Sequence, residues 1–325
     1  MSDDIRLEVS KSQPIPDGVV VFTIIRDERY LLPFFFEHYR ALGVVQFVVY
    51  DDRSGRDTVD FLMAQADCVV VRSDHGFGDS FGTDSVGVQR RLPMVLKEVV
   101  PDNLFPGRWV LTVDADEFLI LPPPFVDLAA FVSFLDRIGQ PYATAPMVDF
   151  YGESLDARNY SHSLGPFAGN PYFDAGPYYY WTGYLAPVPF MGGIRHRMLK
   201  MLCQRRPDLL KSIYGDLIPG PAKSWKVPLL KHGCGVRRLG DHEISVAPAT
   251  SGATALAHFK FCPDLDGKIE RALSERQYYN ASAEYAFLKT AIEELGSDSL
   301  VGAETRRFEG AASLGTAGLL ETASA

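Results

Sequence analysis

Arg108-Trp109-Val110-Leu111-Thr112-Val113-Asp114-Ala115-Asp116-Glu117-Phe118 runs from an apolar stretch straight into three carboxylates. Trp109 to Val113 reads as a buried strand, and the strand ends of α/β sheets are where ligands bind. Side chains at i and i+2 of extended chain share a face, so Asp114 and Asp116 point into one cleft. Carboxylates held that close repel unless one takes a proton or a cation sits between them. A hard divalent ion with oxygen ligands, Mn²⁺ or Mg²⁺, answers that need. An isolated Asp-X-Asp reads more readily as a solvated turn, so its neighbours must carry the argument.

Working back toward the N-terminus, Val19 to Ile25 is a β-branched run without alternation, the pattern of a central parallel strand buried on both faces. Leu32, Phe35, Phe36, Tyr39 and Leu42 then recur at helical spacing, with Gly43 as the stop. Val44 to Tyr50 is a second buried strand, Thr58 to Met63 opens a helix capped by Asp57 or Ser54, and Cys68 to Val71 is a third strand. This succession predicts a doubly wound, mostly parallel Rossmann-like sheet flanked by helices. The polar turns Arg26-Asp27-Glu28 and Asp51-Asp52-Arg53 then share the ligand edge with Asp114 and Asp116. Neither G-x-G-x-x-G nor a Walker lysine loop is present.

Working forward, a helix is expected from Ser85 to Val99, kinked or started late by Pro93, with Arg90 or Arg91 placed to meet a phosphate. Another follows from Val126 to Ile138, and the strand Ala143 to Val148 ends in Asp149. Ser154 to Gly193 is dense in Gly, Pro and aromatics, including Trp181, as binding loops often are. Trp225 to Leu230 and Leu256 to Phe261 read as strands, and Asp266 to Glu294 as helix. Residues 1–17 read as a polar leader, 18–305 as one domain with halves 18–150 and 151–305, and 306–325 as a disordered tail.

A net charge of -9 argues against nucleic acid or an anionic membrane as the main partner, but not against a nucleotide, which needs only a local cation. No apolar run approaches the ~18 residues of a membrane span, though peripheral membrane contact stays compatible. Four scattered cysteines without C-x-x-C point to reduced thiols and no zinc site, hence a cytoplasmic setting.

In this order, Arg26-Asp27-Glu28, Phe35-x-x-His38-Tyr39-Arg40-x-Leu42-Gly43-Val44, Asp51-Asp52-Arg53-Ser54, Asp114-Ala115-Asp116-Glu117, Gly192-Gly193-Ile194-Arg195-His196-Arg197 and Leu256-Ala257-His258-Phe259-Lys260 make up a longer pattern. The chain resembles the bacterial family 2-like glycosyltransferases related to family 92, from about Val19 to Leu295. Asp27 and Asp52 stand where the family usually has Asn. The resemblance implies a GT-A fold with irregular acceptor-side loops and a helical C-terminal region. It implies metal-dependent inverting transfer of a sugar from a nucleoside-diphosphate sugar, UDP in first place, to a glycan or glycolipid hydroxyl. Ile25, Arg26, Glu28, Asp52 and Asp114 are then donor contacts, with Arg195, Arg197 and Lys260 facing diphosphate or acceptor. Asp114, Asp116 and His258 would hold the metal, and Asp149 would be the general base, with Asp174 and Glu153 as rivals. Two other readings use the same cleft: nucleotide-sugar binding without turnover, and nucleotidyl transfer. The second usually needs a Gly-rich basic loop after the first strand, which is missing. A phosphatase of the Asp-X-Asp-X-Thr/Val kind is disfavoured by Phe118.

Overall fold

Nine strands form one mixed sheet, with most of its strands parallel and helices against it. The computed structural model describes residues 5–12, 14–83, 89–180, 188–189, 192–214, 224–240, 242–247 and 253–322. In chain order the elements are β1 (Glu8–Lys11), β2 (Val20–Ile25), α1 (Leu32–Ala41), β3 (Gln46–Asp51), α2 (Arg56–Ala64), β4 (Cys68–Arg72) and α3 (Leu92–Leu104). Next come β5 (Trp109–Thr112), β6 (Glu117–Ile120), α4 (Leu128–Arg137), β7 (Tyr142–Asp149), β8 (Tyr172–Asp174), α5 (Ile194–Arg205) and α6 (Pro207–Tyr214). The chain continues through β9 (Trp225–Lys231), β10 (Ala255–His258), α7 (Leu265–Glu275), α8 (Tyr279–Leu295), β11 (Thr305–Arg307) and α9 (Ala311–Thr316). The sheet order is β1-β4-β3-β2-β5-β9-β7-β10-β6. Strands β4, β3, β2 and β5 are mutually parallel, as are β7 and β10, while β1, β9 and β6 run the other way.

The apolar runs explain the centre. Every residue of β2 and β3 is buried, so both faces need helices over them. Phe35, Phe36 and Tyr39 of α1 pack on Phe47 and Phe118, with ring centroids 4.2–6.5 Å apart. Tyr39 also fixes the edge strand β6: its hydroxyl donates to Glu117 O at 2.8 Å and accepts from Leu119 N at 3.0 Å.

His38, on the same helix, is half-buried, and its Nε2 lies 2.8 Å from Leu119 O. Burial lowers it to about 4, against about 6.5 in the unfolded chain. The unfolded state therefore binds the proton first. The stability His38 contributes is complete above about 6.5 and is lost as pH falls toward about 4. Urea unfolding at pH 7 and pH 5 should show a loss of about 2 kcal/mol at the lower pH from this residue. His38→Gln should remove that part of the difference; an unchanged difference would clear His38 of the role.

Several expectations are corrected. The leader is not wholly loose, because Glu8–Lys11 pairs antiparallel with β4. Residue 150 is no boundary, because β9 from the later half lies between β5 and β7. The tail is ordered through residue 322: β11 pairs with β8, and Leu314, Leu319 and Leu320 are buried against the main core. Its Ala/Gly composition hid three leucines that reach the core. Pro93 lies in the first turn of α3, the late start, and 85–88 of that predicted helix fall outside the described residues, as does Trp181. The Asp266–Glu294 helix is two, since α7 ends at Arg276 in the left-handed region (φ 52°). Neither Asp57 nor Ser54 caps α2, whose N-cap is Gly55. Asp127, by contrast, caps α4 by accepting from Ala130 N at 2.8 Å.

Candidate active site at the parallel-strand edge

Parallel strands deliver their C-terminal ends to one edge, and antiparallel β9 and β6 begin at that same edge. Asp52, Asp114, Asp116, Glu117, Asp149, Lys226 and His258 thus gather although they span more than 200 residues of the 325. Register does the fine placement: His258 lies opposite Asp149 on one side and Glu117 on the other.

The need for a cation at Asp114 is met by the chain itself. Lys97 Nζ lies 2.8 Å from Asp114 Oδ1, and Lys226 Nζ lies 2.7 Å from Oδ2 and 2.5 Å from Glu117 Oε1. Glu117 Oε2 accepts from the Asp114 N–H at 3.0 Å. Burial works to raise the Asp114 carboxyl, but the two lysines outweigh it and hold it well below the usual range. Ligand atoms of Asp114, Asp116 and Glu117 lie within 4.8 Å of one another. The three could therefore hold a metal, with Asp114 and Glu117 each paired to lysine in this arrangement. Neither lysine was expected here. The available signal was a lone cation in an otherwise apolar segment, at Lys226 in Trp225–Leu230, and a lone lysine after the apolar run Leu92–Leu96 at Lys97.

Asp116 also converges with His258. His258 Nε2 lies 3.4 Å from Asp116 Oδ2, and Nδ1 lies 2.5 Å from Asp149 Oδ1. Burial alone would lower His258, but Asp116 and Asp149 raise it to about 9. A carboxylate and an imidazole aimed at one point, the imidazole braced by a second carboxylate, is a donor set for an intermediate divalent ion.

Asp149 itself is fully engaged. Its other oxygen accepts from Arg195 Nε at 2.7 Å, and Arg195 and His258 keep it well below the usual range against the effect of burial. As the expected general base, Asp149 would have to act from within this pair of charged hydrogen bonds. Asp174 is equally occupied, by both Arg197 Nε and Nη2 at 2.8 Å and by Tyr151. Arg197 therefore faces a structural carboxylate and not a diphosphate. Arg195 also bonds Glu284 Oε1 at 3.0 Å, so it too is committed. Lys260 is held more loosely, 4.0 Å from Glu284 and 5.1 Å from the Tyr285 ring centroid.

The first-strand turn is covered by α7. Arg26 makes a double contact with Glu275 at 2.7 and 2.8 Å, Arg271 meets Asp27 at 2.6 Å, and Lys268 meets Glu28 at 2.6 Å. Burial lifts Glu28 to about 7 despite Lys268. Ile25 is buried in the core, and its carbonyl accepts the Asp52 N–H at 2.9 Å. Asp27 holds φ 55°, a conformation Asp tolerates as Asn does, and accepts from Gly55 N at 2.6 Å. Asp at that position therefore keeps the turn.

Asp52 differs from all of these. It is 2% exposed, only the Phe77 N–H approaches it, and neither oxygen completes a hydrogen bond. Burial raises its carboxyl, with Arg26 and Arg53 opposing. A cavity of about 340 Å³ is lined by its chain neighbour Arg53 with Gly76, Asp79, Arg91, Glu275 and Arg276. Arg91 lines this cavity and donates to Gln277 O, whereas Arg90 turns to Glu98 at 2.5 Å.

No protein-family model and no curated protein matches this chain. The site's residues must therefore carry the functional reading by themselves. No helix among the described residues is long and apolar enough to cross a membrane.

Proposed function

We propose that this chain is an inverting glycosyltransferase of GT-A type that moves a sugar from a nucleoside-diphosphate sugar to a hydroxyl of a glycan or glycolipid. The observation that carries the reading is the convergence of Asp116 and His258 at the edge where parallel strands end, an edge that also carries the unsatisfied carboxylate of Asp52. Asp52 would accept from the nucleobase or ribose, and the cavity of about 340 Å³ lined by Arg53 falls within the usual range for ligand sites. Asp116 and His258 would hold a divalent ion, Mn²⁺ in preference to Mg²⁺ given the imidazole. When bound, that ion would supply Lewis-acid neutralisation of the departing diphosphate. Lys260, the loosest cation, would add to it. In the transfer the acceptor oxygen bonds to the anomeric carbon while the bond from that carbon to the diphosphate breaks. The acceptor proton then passes to a carboxylate. Of the candidates Asp149, Asp174 and Glu153, the first two are held in ion pairs, and Glu153, after β7, is exposed.

The occupancy of those two carboxylates also favours a second reading, nucleotide-sugar binding without turnover. Thermal melting with UDP, GDP and ADP, each with and without Mn²⁺, tests what both readings share. One nucleotide should raise the wild-type melting temperature with Mn²⁺ only, by several degrees at a hundredfold excess over its Kd. Asp116→Ala should lose that rise. No rise with any nucleotide and metal would remove both readings. A rise without release of sugar to any hydroxyl acceptor, water included, would favour the binder.

A further inference from the structure

We infer that Asp149 is a positioning residue, which fixes the ring of His258 so that Nδ1 donates and Nε2 is turned to Asp116. The inference rests on the transferase reading only for the identity of the ion that Nε2 would meet.

Three independent restraints act on this imidazole. β7 and β10 are parallel and in register, so Asp149 and His258 stand side by side on one face of the sheet. The backbone is pinned on both sides: Phe150 N donates to His258 O at 2.9 Å, and Phe259 N donates to Asp116 O at 2.8 Å. The carboxylate itself cannot swing, because one oxygen holds Nδ1 at 2.5 Å while the other accepts from Arg195 Nε at 2.7 Å. Arg195 is tied in turn to Glu284 at 3.0 Å. Asp149 and His258 are 7% and 5% exposed, so water offers Nδ1 no alternative acceptor. On the far side of the ring the restraint ends: Nε2 and Asp116 Oδ2 are 3.4 Å apart, longer than a well-formed N–H···O bond. The geometry thus presets which nitrogen is spent on the protein and which is offered to a ligand. Nε2 would be the nitrogen to give up its proton to a cation, while the Nδ1 proton stays on the ring, donated to Asp149.

The test is Mn²⁺ binding to the full chain, followed by the spin-resonance signal of the free ion, for wild type, Asp149→Asn and Asp116→Asn. Expected are a 10- to 100-fold weaker Kd for Asp149→Asn and loss of binding for Asp116→Asn. Wild-type affinity in Asp149→Asn, with binding lost in Asp116→Asn, overturns the positioning role and leaves the transferase reading standing. Absence of Mn²⁺ binding in the wild type overturns the inference, and the reading falls with it only if the nucleotides also fail to raise the melting temperature. Should Asp149→Asn not fold, nitrogen-15 spectra of the wild-type imidazole on adding Zn²⁺ decide. A shift at Nε2 with the proton kept at Nδ1 upholds the inference; metal at Nδ1, or a shift at neither nitrogen, overturns it.

Discussion

Lys226→Met is expected to destabilise the fold by about 3–5 kcal/mol, the range found when one partner of a buried ion pair is removed. Lys226 is the single cation between Asp114 Oδ2 and Glu117 Oε1, at 2.7 and 2.5 Å, and the Glu117 side chain is only 1% exposed. Without the ammonium, Glu117 keeps the Asp114 N–H at 3.0 Å and otherwise faces a desolvated interior. Burial already raises this carboxyl with Lys226 present, so the variant should take up a proton there. Urea unfolding at pH 7 measures the effect, and Lys226→Met combined with Glu117→Gln should recover a large part of the loss. A single variant within about 0.5 kcal/mol of wild type, the range of ordinary surface substitutions, would show that the lysine does not hold the strand ends together. The result matters for function as well, because it decides whether Asp114 belongs to the scaffold or to the ligand.

Arg197→Met should lower stability by about 3 kcal/mol or more while leaving the nucleotide-dependent melting shift in place. The guanidinium grips both oxygens of Asp174 at 2.8 Å, donates to Tyr151 Oη at 2.8 Å and reaches Leu300 O at 2.7 Å. One side chain thus ties β8, the exit of β7 and the segment ahead of β11. The Asp174 side chain is 2% exposed, so an unpaired charge left there is not relieved by water. Chemical unfolding and melting with nucleotide separate the two roles. A variant of wild-type stability that no longer responds to nucleotide would return Arg197 to the donor site, where its glycine-arginine motif had placed it.

These two residues show where sequence reasoning stops. Both were visible, one as a cation in an apolar strand and one as an arginine after paired glycines. The first drew no functional reading, and the second drew one that its pairing with Asp174 does not favour. A motif gives residue type and spacing, whereas the role of a charge depends on which opposite charge it meets. Arg195, Arg197, Arg26 and Glu28 are each claimed by a side chain 23 or more positions away. Nothing local announces such a pairing.

Local chemistry by itself determined the parallel block from Val20 to Thr112, because β-branched runs without a polar face can satisfy their burial only inside a sheet covered on both sides. It also determined that the carboxylates of Asp52 and Asp116 stand at strand ends, since polar residues directly after such runs have no other place. Tertiary structure alone decided the rest. It set β9 antiparallel inside the sheet, folded the leucines of the tail onto the core, and chose which carboxylates are held by lysine or arginine and which stay open. The physical reason is range: backbone patterning acts over a few residues, but desolvation and ion pairing are settled only when distant segments exclude water together.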